Sequence, residues 1–168
     1  MNPLSILRQF FKGLTKENLP WQIGLGIAFG FALGIIPKNN LTAQIIFIAM
    51  MSTKANIPFA FVSTAFFSGL YFFTDKVTDP LGYAVLNSEK LYPFFVKIYN
   101  MPIIPWTDFN NTTVMGGIIL GLIFFFPVYL AGKKIGEVYN AKMKDKISNS
   151  KIVKAMKTSW AFEWYFRD

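Results

Sequence analysis

Carboxylates are the main candidates for acid–base chemistry in this sequence, because its 168 residues include no His and no Cys. The absence of both residue types excludes thiol and imidazole catalysis, disulfides, and zinc sites built on Cys or His. Of the nine carboxylates, four fall in one segment, at Asp75, Asp79, Glu89 and Asp108. Carboxylates alone are a weak basis for catalysis. We therefore predict no catalytic residue, no metal ligand and no cofactor.

A second set of polar residues interrupts apolar sequence at Pro37-Lys38-Asn39-Asn40. Pro37 ends a helix because it lacks an N–H, and an Asn after it can cap the next helix, so these residues predict a tight turn. A buried Lys38 would need an anion, such as a lipid phosphate or an acidic side chain of a partner. A Lys38 at the surface would only extend towards water. Both interpretations stay open.

Asp and Asn side chains also border the segment that holds the four carboxylates. Two roles compete for them, ordinary helix capping and binding of a partner. The residues that we predict to bind a partner or a lipid are Pro37, Lys38, Asn39, Asn40, Asp79, Asn110 and Asn111.

The elements that must position these residues are strongly apolar. Hydrophobic residues make up 53% of the chain and charged residues only 15%, and the mean hydropathy is +0.37. This composition is typical of a protein with much of its surface in lipid. The hydrophobic segments are 19–36, 41–53, 57–73 and 112–132, with a loop at 74–111. We therefore predict an all-α, polytopic membrane protein.

The second hydrophobic segment is too short to cross a bilayer upright. Its apolar residues, 41–51, would give a helix of about 16 Å, against a hydrocarbon core of about 30 Å. Segments 19–36 and 41–53 therefore form either a re-entrant, half-length helical hairpin or two crossings at a tilted or thinned position. Two crossings plus a hairpin and four crossings both fit the sequence.

Charges outside the apolar segments predict the orientation of the chain. The net charge is +8, with positive residues concentrated before residue 18 and after residue 132, whereas loop 74–111 has three lysines against four carboxylates. By the positive-inside rule both termini are cytoplasmic and the loop lies outside. We predict that 1–18 is an amphipathic helix on the inner leaflet. We predict that 133–168 is a basic helical tail that binds anionic lipid rather than nucleic acid.

The outer loop is too apolar between residues 91 and 106 to be a free solvated segment. We expect it to lie along the outer interface of the membrane or to cover a groove between helices.

Small residues repeat at four-residue spacing in two of the apolar segments, which permits close approach of helix backbones. The residues that we assign to helix packing are Gly26, Gly30, Gly34, Gly117 and Gly121. A second ladder of small residues lies on another face of the first segment, at Gly24, Ala28 and Ala32. The alternative to packing is a smooth groove for a lipid chain or a substrate.

Several short motifs, taken in order, resemble a small family of bacterial inner-membrane proteins that is similar to the domain-of-unknown-function group numbered 2062. The resemblance covers about 19–134. Where the wider group often has an Asn-Pro pair, this chain has Phe67-Ser68, so no role for that pair carries over. The motifs are Gly30-x-x-x-Gly34-x-x-Pro37-Lys38-Asn39-Asn40, Asn56-x-Pro58, Asp79-Pro80-Leu81-Gly82, Leu91-Tyr92-Pro93, Tyr99-Asn100-Met101-Pro102 and Phe109-Asn110-Asn111-Thr112.

The resemblance implies the inner membrane of a bacterium with an outer membrane, and a gene paired with that of a larger envelope protein that spans the periplasm and carries lipid. It implies no activity. Our main hypothesis is a non-enzymatic subunit that docks this larger partner and assists lipid transfer, with membrane lipids as further partners. The alternatives are a small stand-alone transporter or channel with its site at 37–40, and a lipid-modifying enzyme that uses the loop carboxylates. A homo-oligomer stays open.

Overall fold

The computed structural model describes residues 19–143, and within them the fold is helical with no strands. The predicted amphipathic helix at 1–18 and the basic tail beyond residue 143 lie outside the described residues. The helices are α1 (Pro20–Gly34), α2 (Leu41–Met51), α3 (Ile57–Gly69), α4 (Tyr71–Leu86), α5 (Tyr92–Tyr99), a 3-10 helix (Ile104–Thr107), α6 (Thr112–Val138) and a final π-helical turn (Tyr139–Met143).

Three of these helices begin at an Asn whose side chain accepts a hydrogen bond from the first turn. The acceptors are Asn40 for α2, Asn56 for α3 and Asn111 for α6. Each bond satisfies one of the backbone N–H groups that a helix start leaves without an intrahelical partner. Pro20 and Pro58 stand in the first turns of α1 and α3, where a missing N–H costs nothing.

Helix α1 is the centre of the bundle and packs against α3 on one face and α6 on another. Gly26, Gly30 and Gly34 face α3, where an added side chain would meet the backbone of Asn56 and Ala60 and the side chain of Phe67. Helix α3 runs parallel to α1, because successive glycines meet successive turns of α3. The Ser63 hydroxyl fixes this contact by donating to the carbonyl of Ile27 at 2.9 Å.

The second small-residue ladder of α1 faces α6, which runs antiparallel to it. Gly117 lies beside Ile36, and at the other end Gly136 lies beside Pro20. At Gly24 an added Cβ would stand 2.7 Å from the carbonyl oxygen of Tyr129. The two ladders of α1 therefore allow two neighbours to approach its backbone closely.

Helix α2 folds back along α1 as an antiparallel hairpin. Its buried Ala43 and Met50 share one apolar cluster with Leu33 of α1. The chain returns to the start of α1, where the amide N–H of Asn56 donates to the carbonyl of Gln22 at 2.8 Å. The 11 residues of α2 and the turn at 52–56 together return the chain from one end of α1 to the other.

Helix α4 differs from the sequence analysis, which placed a hydrophobic segment at 57–73 and a loop from residue 74. The chain instead bends by 77° between α3 and α4 and stays helical to Leu86. Hydropathy misses α4 because Asp75, Lys76 and Asp79 interrupt its apolar residues. Packing against α6 stabilises α4 as a helix. Thr78 of α4 is fully buried. Gly82 of α4 contacts the α6 backbone, and Gly116 of α6 contacts the α4 backbone.

Within the described part of the chain, 19–143, one helix is long and apolar enough to cross a membrane, α6 together with the turn that continues it to Lys142. Helices α3 and α4 meet the same criteria only if they are taken as one span broken at the 77° bend. Helices α1 and α2 are apolar but shorter, at 15 and 11 residues.

Candidate functional site

The two ends of the helical bundle differ in charge. Lys54 follows α2 and Lys133 lies near the start of α1, because the backbone of Lys133 is next to Gly24. We call this the basic end. At the opposite end, the 37–40 turn, α4 and the start of α6 come together, and there the Thr42 hydroxyl donates to the carbonyl of Thr107 at 2.7 Å. We call this the acidic end after its three aspartates, Asp75, Asp79 and Asp108, which lie there together with two lysines, Lys38 and Lys76.

The 37–40 turn is closed by its own hydrogen bonds. The Lys38 ammonium donates to the carbonyl of Gly34 at 2.9 Å, at the C-terminal end of α1, where a cation is favourable. Buried Asn40 donates to the carbonyl of Pro37 at 2.8 Å and accepts from the amide of Ala43 at 2.9 Å. Partial desolvation lowers the pKa of Lys38 from its usual value. Lys38 and Asn39 are exposed, and an ammonium has three donors, so Lys38 can still bind an external anion.

A line of polar side chains, the polar seam, joins α4 to α6. The Thr113 hydroxyl donates to a carboxylate oxygen of Asp75 at 2.9 Å, and the Thr112 hydroxyl donates to Asp79. The Tyr71 hydroxyl interacts with both Asp75 and Thr113. Two of the four loop carboxylates therefore serve as hydrogen-bond acceptors between helices. Among residues 19–143 there is no group of three or more metal-ligating His, Cys, Asp or Glu side chains.

Asn110 and Asn111 have different surroundings although they are adjacent. The Asn111 side chain caps α6 by accepting from the amide of Val114 at 3.2 Å. Asn110 is exposed and lines a cavity of about 400 Å³ between α4, α5 and the segment before α6. Tyr71, Thr112 and Thr113 were not predicted to form this seam. The two threonines give no sequence signal, because their partners, Asp79 and Asp75, lie on a helix that the hydropathy pattern did not predict.

Beyond the acidic end lies a layer that we call the aromatic cap, residues 92–109. Buried Phe109 holds it in place, with ring centroids of Phe95 and Tyr99 at 6.0 and 6.1 Å. Its outward side chains are large and apolar, and Trp106 is 72% exposed. Ile103 is 61% exposed and has φ of 73°, a conformation that a β-branched residue adopts only under constraint.

Between the two ends, the exposed surface of α2, α3 and α6 is an apolar belt. The segments 41–53, 55–74 and 109–132 contain no charged residue. Large apolar side chains point outward from all three helices; among them are Ile45, Ile48, Phe61, Phe66, Leu122, Ile123 and Phe126. Exposed apolar patches of this extent on a chain in water would drive association or aggregation.

Comparison with known proteins gives one relative of similar length. The chain is 23% identical, over 146 residues, to an uncharacterized protein of Treponema pallidum (strain Nichols), a match that covers 87% of this chain and 90% of that protein. No family model matches the chain. No solved structure matches it significantly.

Proposed function

We propose that this chain is a non-enzymatic, multi-pass protein of the bacterial inner membrane that docks a larger envelope protein at its acidic end. The apolar belt supports the membrane location. Leu122 of α6 is 76% exposed and Phe66 of α3 is 60% exposed. Burying such side chains in lipid is favourable by about 25 cal/mol for each Å² removed from water.

The balance of charge supports an orientation with both termini in the cytoplasm. At the basic end Lys54, Lys133 and Lys134 stand against one carboxylate, Glu137. At the opposite end four carboxylates match the four lysines, which are Lys38, Lys76, Lys90 and Lys97. Since positively charged flanks stay on the cytoplasmic side, the acidic end and its aromatic cap face outward. Helices α1, α2, α3 and α6 then alternate in direction through the belt, with α6 as a full-length crossing and the other three as short ones.

The observation that carries the docking proposal is the aromatic cap. It adds an exposed aromatic surface outside the bundle, on the side that faces the periplasm in this orientation. Exposed Trp and Tyr side chains dominate the binding energy of protein interfaces, because they bury large areas at low entropic cost. Trp106, Tyr92 and Phe94 are all more than half exposed. The resemblance to the inner-membrane family supports a partner that spans the periplasm and carries lipid.

Two other observations favour docking over the alternative activities. The 37–40 turn is closed by Lys38 and Asn40, which argues against a transport site opening there. Asp75 and Asp79 accept hydrogen bonds from threonines of α6, which suits a structural role better than acid–base chemistry.

The test is purification of the tagged protein from its own host in mild detergent, with mass spectrometry of every protein that accompanies it. We expect a large envelope protein in constant ratio to this chain. Replacing Trp106 and Phe94 together by Ala should remove that partner, because both side chains are exposed and lie outside the buried core. Leu122→Ala is the matched control in the belt and should retain the partner. Equal recovery of the partner with the wild-type protein, the double variant and Leu122→Ala would contradict the proposal.

A further inference from the structure

The apolar belt contains a groove that is lined almost entirely by apolar side chains. This lateral groove has a volume of about 300 Å³ and lies between α2 and α6, with α1 as its floor. Its walls include Ile45 and Ala49 of α2 and Leu122 of α6, and its floor includes Ala32 and Gly121.

Gly121 is explained by the groove rather than by helix packing. An added Cβ at Gly121 would have its nearest heavy atom, the Cβ of Ala32, at 3.7 Å, which is an ordinary contact. At Gly117 the corresponding distance is 2.5 Å to the side chain of Ile36, just after α1, and at Gly132 it is 3.0 Å to the Cα of Gly24, so a side chain at either position would force its neighbour to move. The close approach of α6 to α1 therefore does not require a glycine at 121. The absence of a side chain there instead keeps the groove open.

The groove offers its occupant apolar contacts and no spare hydrogen bond. Thr42 is the polar side chain in its lining, and the hydroxyl of Thr42 donates to the carbonyl of Thr107. A polar ligand would lose its own hydration without compensation, at a cost of about 1–3 kcal/mol for each unpaired group. The same bond ties the acidic end of the groove to the 3-10 helix, so an occupant enters sideways from the belt.

We propose that the lateral groove binds one acyl chain of a membrane phospholipid. Ile45 and Leu122, on its two rims, are 53% and 76% exposed and lie in the belt, so lipid tails surround the opening. The volume is at the lower end of the range for small-ligand sites, about 300 Å³. This inference rests on the membrane location proposed above.

The experiment is photolabelling in nanodiscs that contain a phosphatidylcholine with a diazirine in one acyl chain, followed by mapping of the labelled peptides. We expect the strongest labelling at Ile45, Ala49 and Leu122, above that of belt residues outside the groove such as Phe66. Gly121→Leu should fill the groove and reduce labelling of its walls to the level of Phe66. Gly69→Leu is the matched control, because an added side chain at Gly69 meets nothing within 4 Å; it should leave the wall labelling unchanged.

Further outcomes separate this inference from the membrane proposal. Equal labelling of groove and belt in the wild-type protein, or wall labelling that survives Gly121→Leu, would overturn the acyl-chain site alone. Absence of label from the belt, Phe66 included, would overturn the membrane location as well. A disulfide formed with an added oxidant between two copies of Ala49→Cys, in a chain that has no other Cys, would show that a second copy fills the groove, and would also overturn the inference. Ala49→Leu fills the groove from its other wall and repeats the test if Gly121→Leu unfolds.

Discussion

The carbonyl oxygen of Thr78 on α4 occupies the space that a side chain at position 116 of α6 would need. Any residue other than glycine at 116 would collide with the α4 backbone. One turn away the relationship is reversed, because the carbonyl of Thr112 on α6 closes the space beside Gly82 of α4. These two pairs set the crossing of α4 and α6, and the polar seam lies next to them. The arrangement of α4 and α6 at the acidic end therefore depends on these backbone contacts as well as on the polar seam.

The first prediction concerns this crossing. Gly116→Ala should lower the stability of the protein by about 1–3 kcal/mol, the usual cost of forcing extra atoms into a packed interface. Thermal unfolding in detergent, followed by circular dichroism, measures the change. Gly69→Ala is the control, since its surroundings are open and alanine favours a helix by about 1 kcal/mol over glycine. Equal stability of Gly116→Ala and the wild-type protein would show that α4 does not pack on α6 in this way.

The second prediction concerns the polar seam. Thr113→Val keeps the shape of the side chain but removes its donation to Asp75, which should cost about 1–3 kcal/mol because a half-buried carboxylate loses a hydrogen bond. Thr64→Val makes the same change on α3, where the hydroxyl donates only to the carbonyl of Ala60 four residues earlier. Thermal unfolding of the two variants should differ. If Thr64→Val is as destabilising as Thr113→Val, the seam has no special role.

The third prediction concerns the orientation in the membrane. The chain has no Cys, so single cysteines can be placed in a clean background. Asn39→Cys and Asn110→Cys should react with a membrane-impermeant maleimide in spheroplasts, since both lie at the acidic end. Lys54→Cys should react only after the cells are permeabilised, and Ile48→Cys in the belt should stay unreactive in both states. Labelling of Lys54→Cys in intact spheroplasts would contradict the proposed topology.

The fourth prediction concerns bilayer thickness. Helix α2 has 11 residues, so this face spans only about 16 Å of a hydrocarbon core of about 30 Å. The protein should therefore have a higher melting temperature in nanodiscs of short-chain phosphatidylcholine than of long-chain phosphatidylcholine, because mismatch costs free energy. A melting temperature that does not depend on chain length would indicate that α2 does not face lipid.

The spacing of small residues anticipated much of how α1 is packed. Four-residue repeats placed Gly26, Gly30 and Gly34 on one face and Gly24 on another, and the contacts of α1 with α3 and α6 lie on those faces. Likewise, capping was one of two roles considered for Asn111, and the structure gives it that role at the start of α6. Such features depend on local spacing and local hydrogen bonds, which a sequence contains directly.

The features that could not be predicted from the sequence depend on contacts between distant segments of the chain. Helix α4 carries charges that hydropathy assigns to a loop, yet Thr78 and Gly82 bury one face of it against α6. Asp75 and Thr113 are 38 residues apart, so no local pattern joins them. The lateral groove needs α1, α2 and α6 at once, and Gly121 differs from Gly117 only in what stands opposite. None of these relationships has a short-range signal.

Photo-crosslinking in living cells of the host tests the docking proposal most directly. A benzophenone amino acid is placed at Trp106 or Ile103 of the aromatic cap, or at Ile123 of the belt as the control, and the adducts are identified by mass spectrometry. The account predicts one large envelope protein crosslinked from both cap positions and absent from Ile123. Crosslinks from the cap to lipid alone, with no protein adduct at either position, would contradict it and would place the cap along the membrane interface instead.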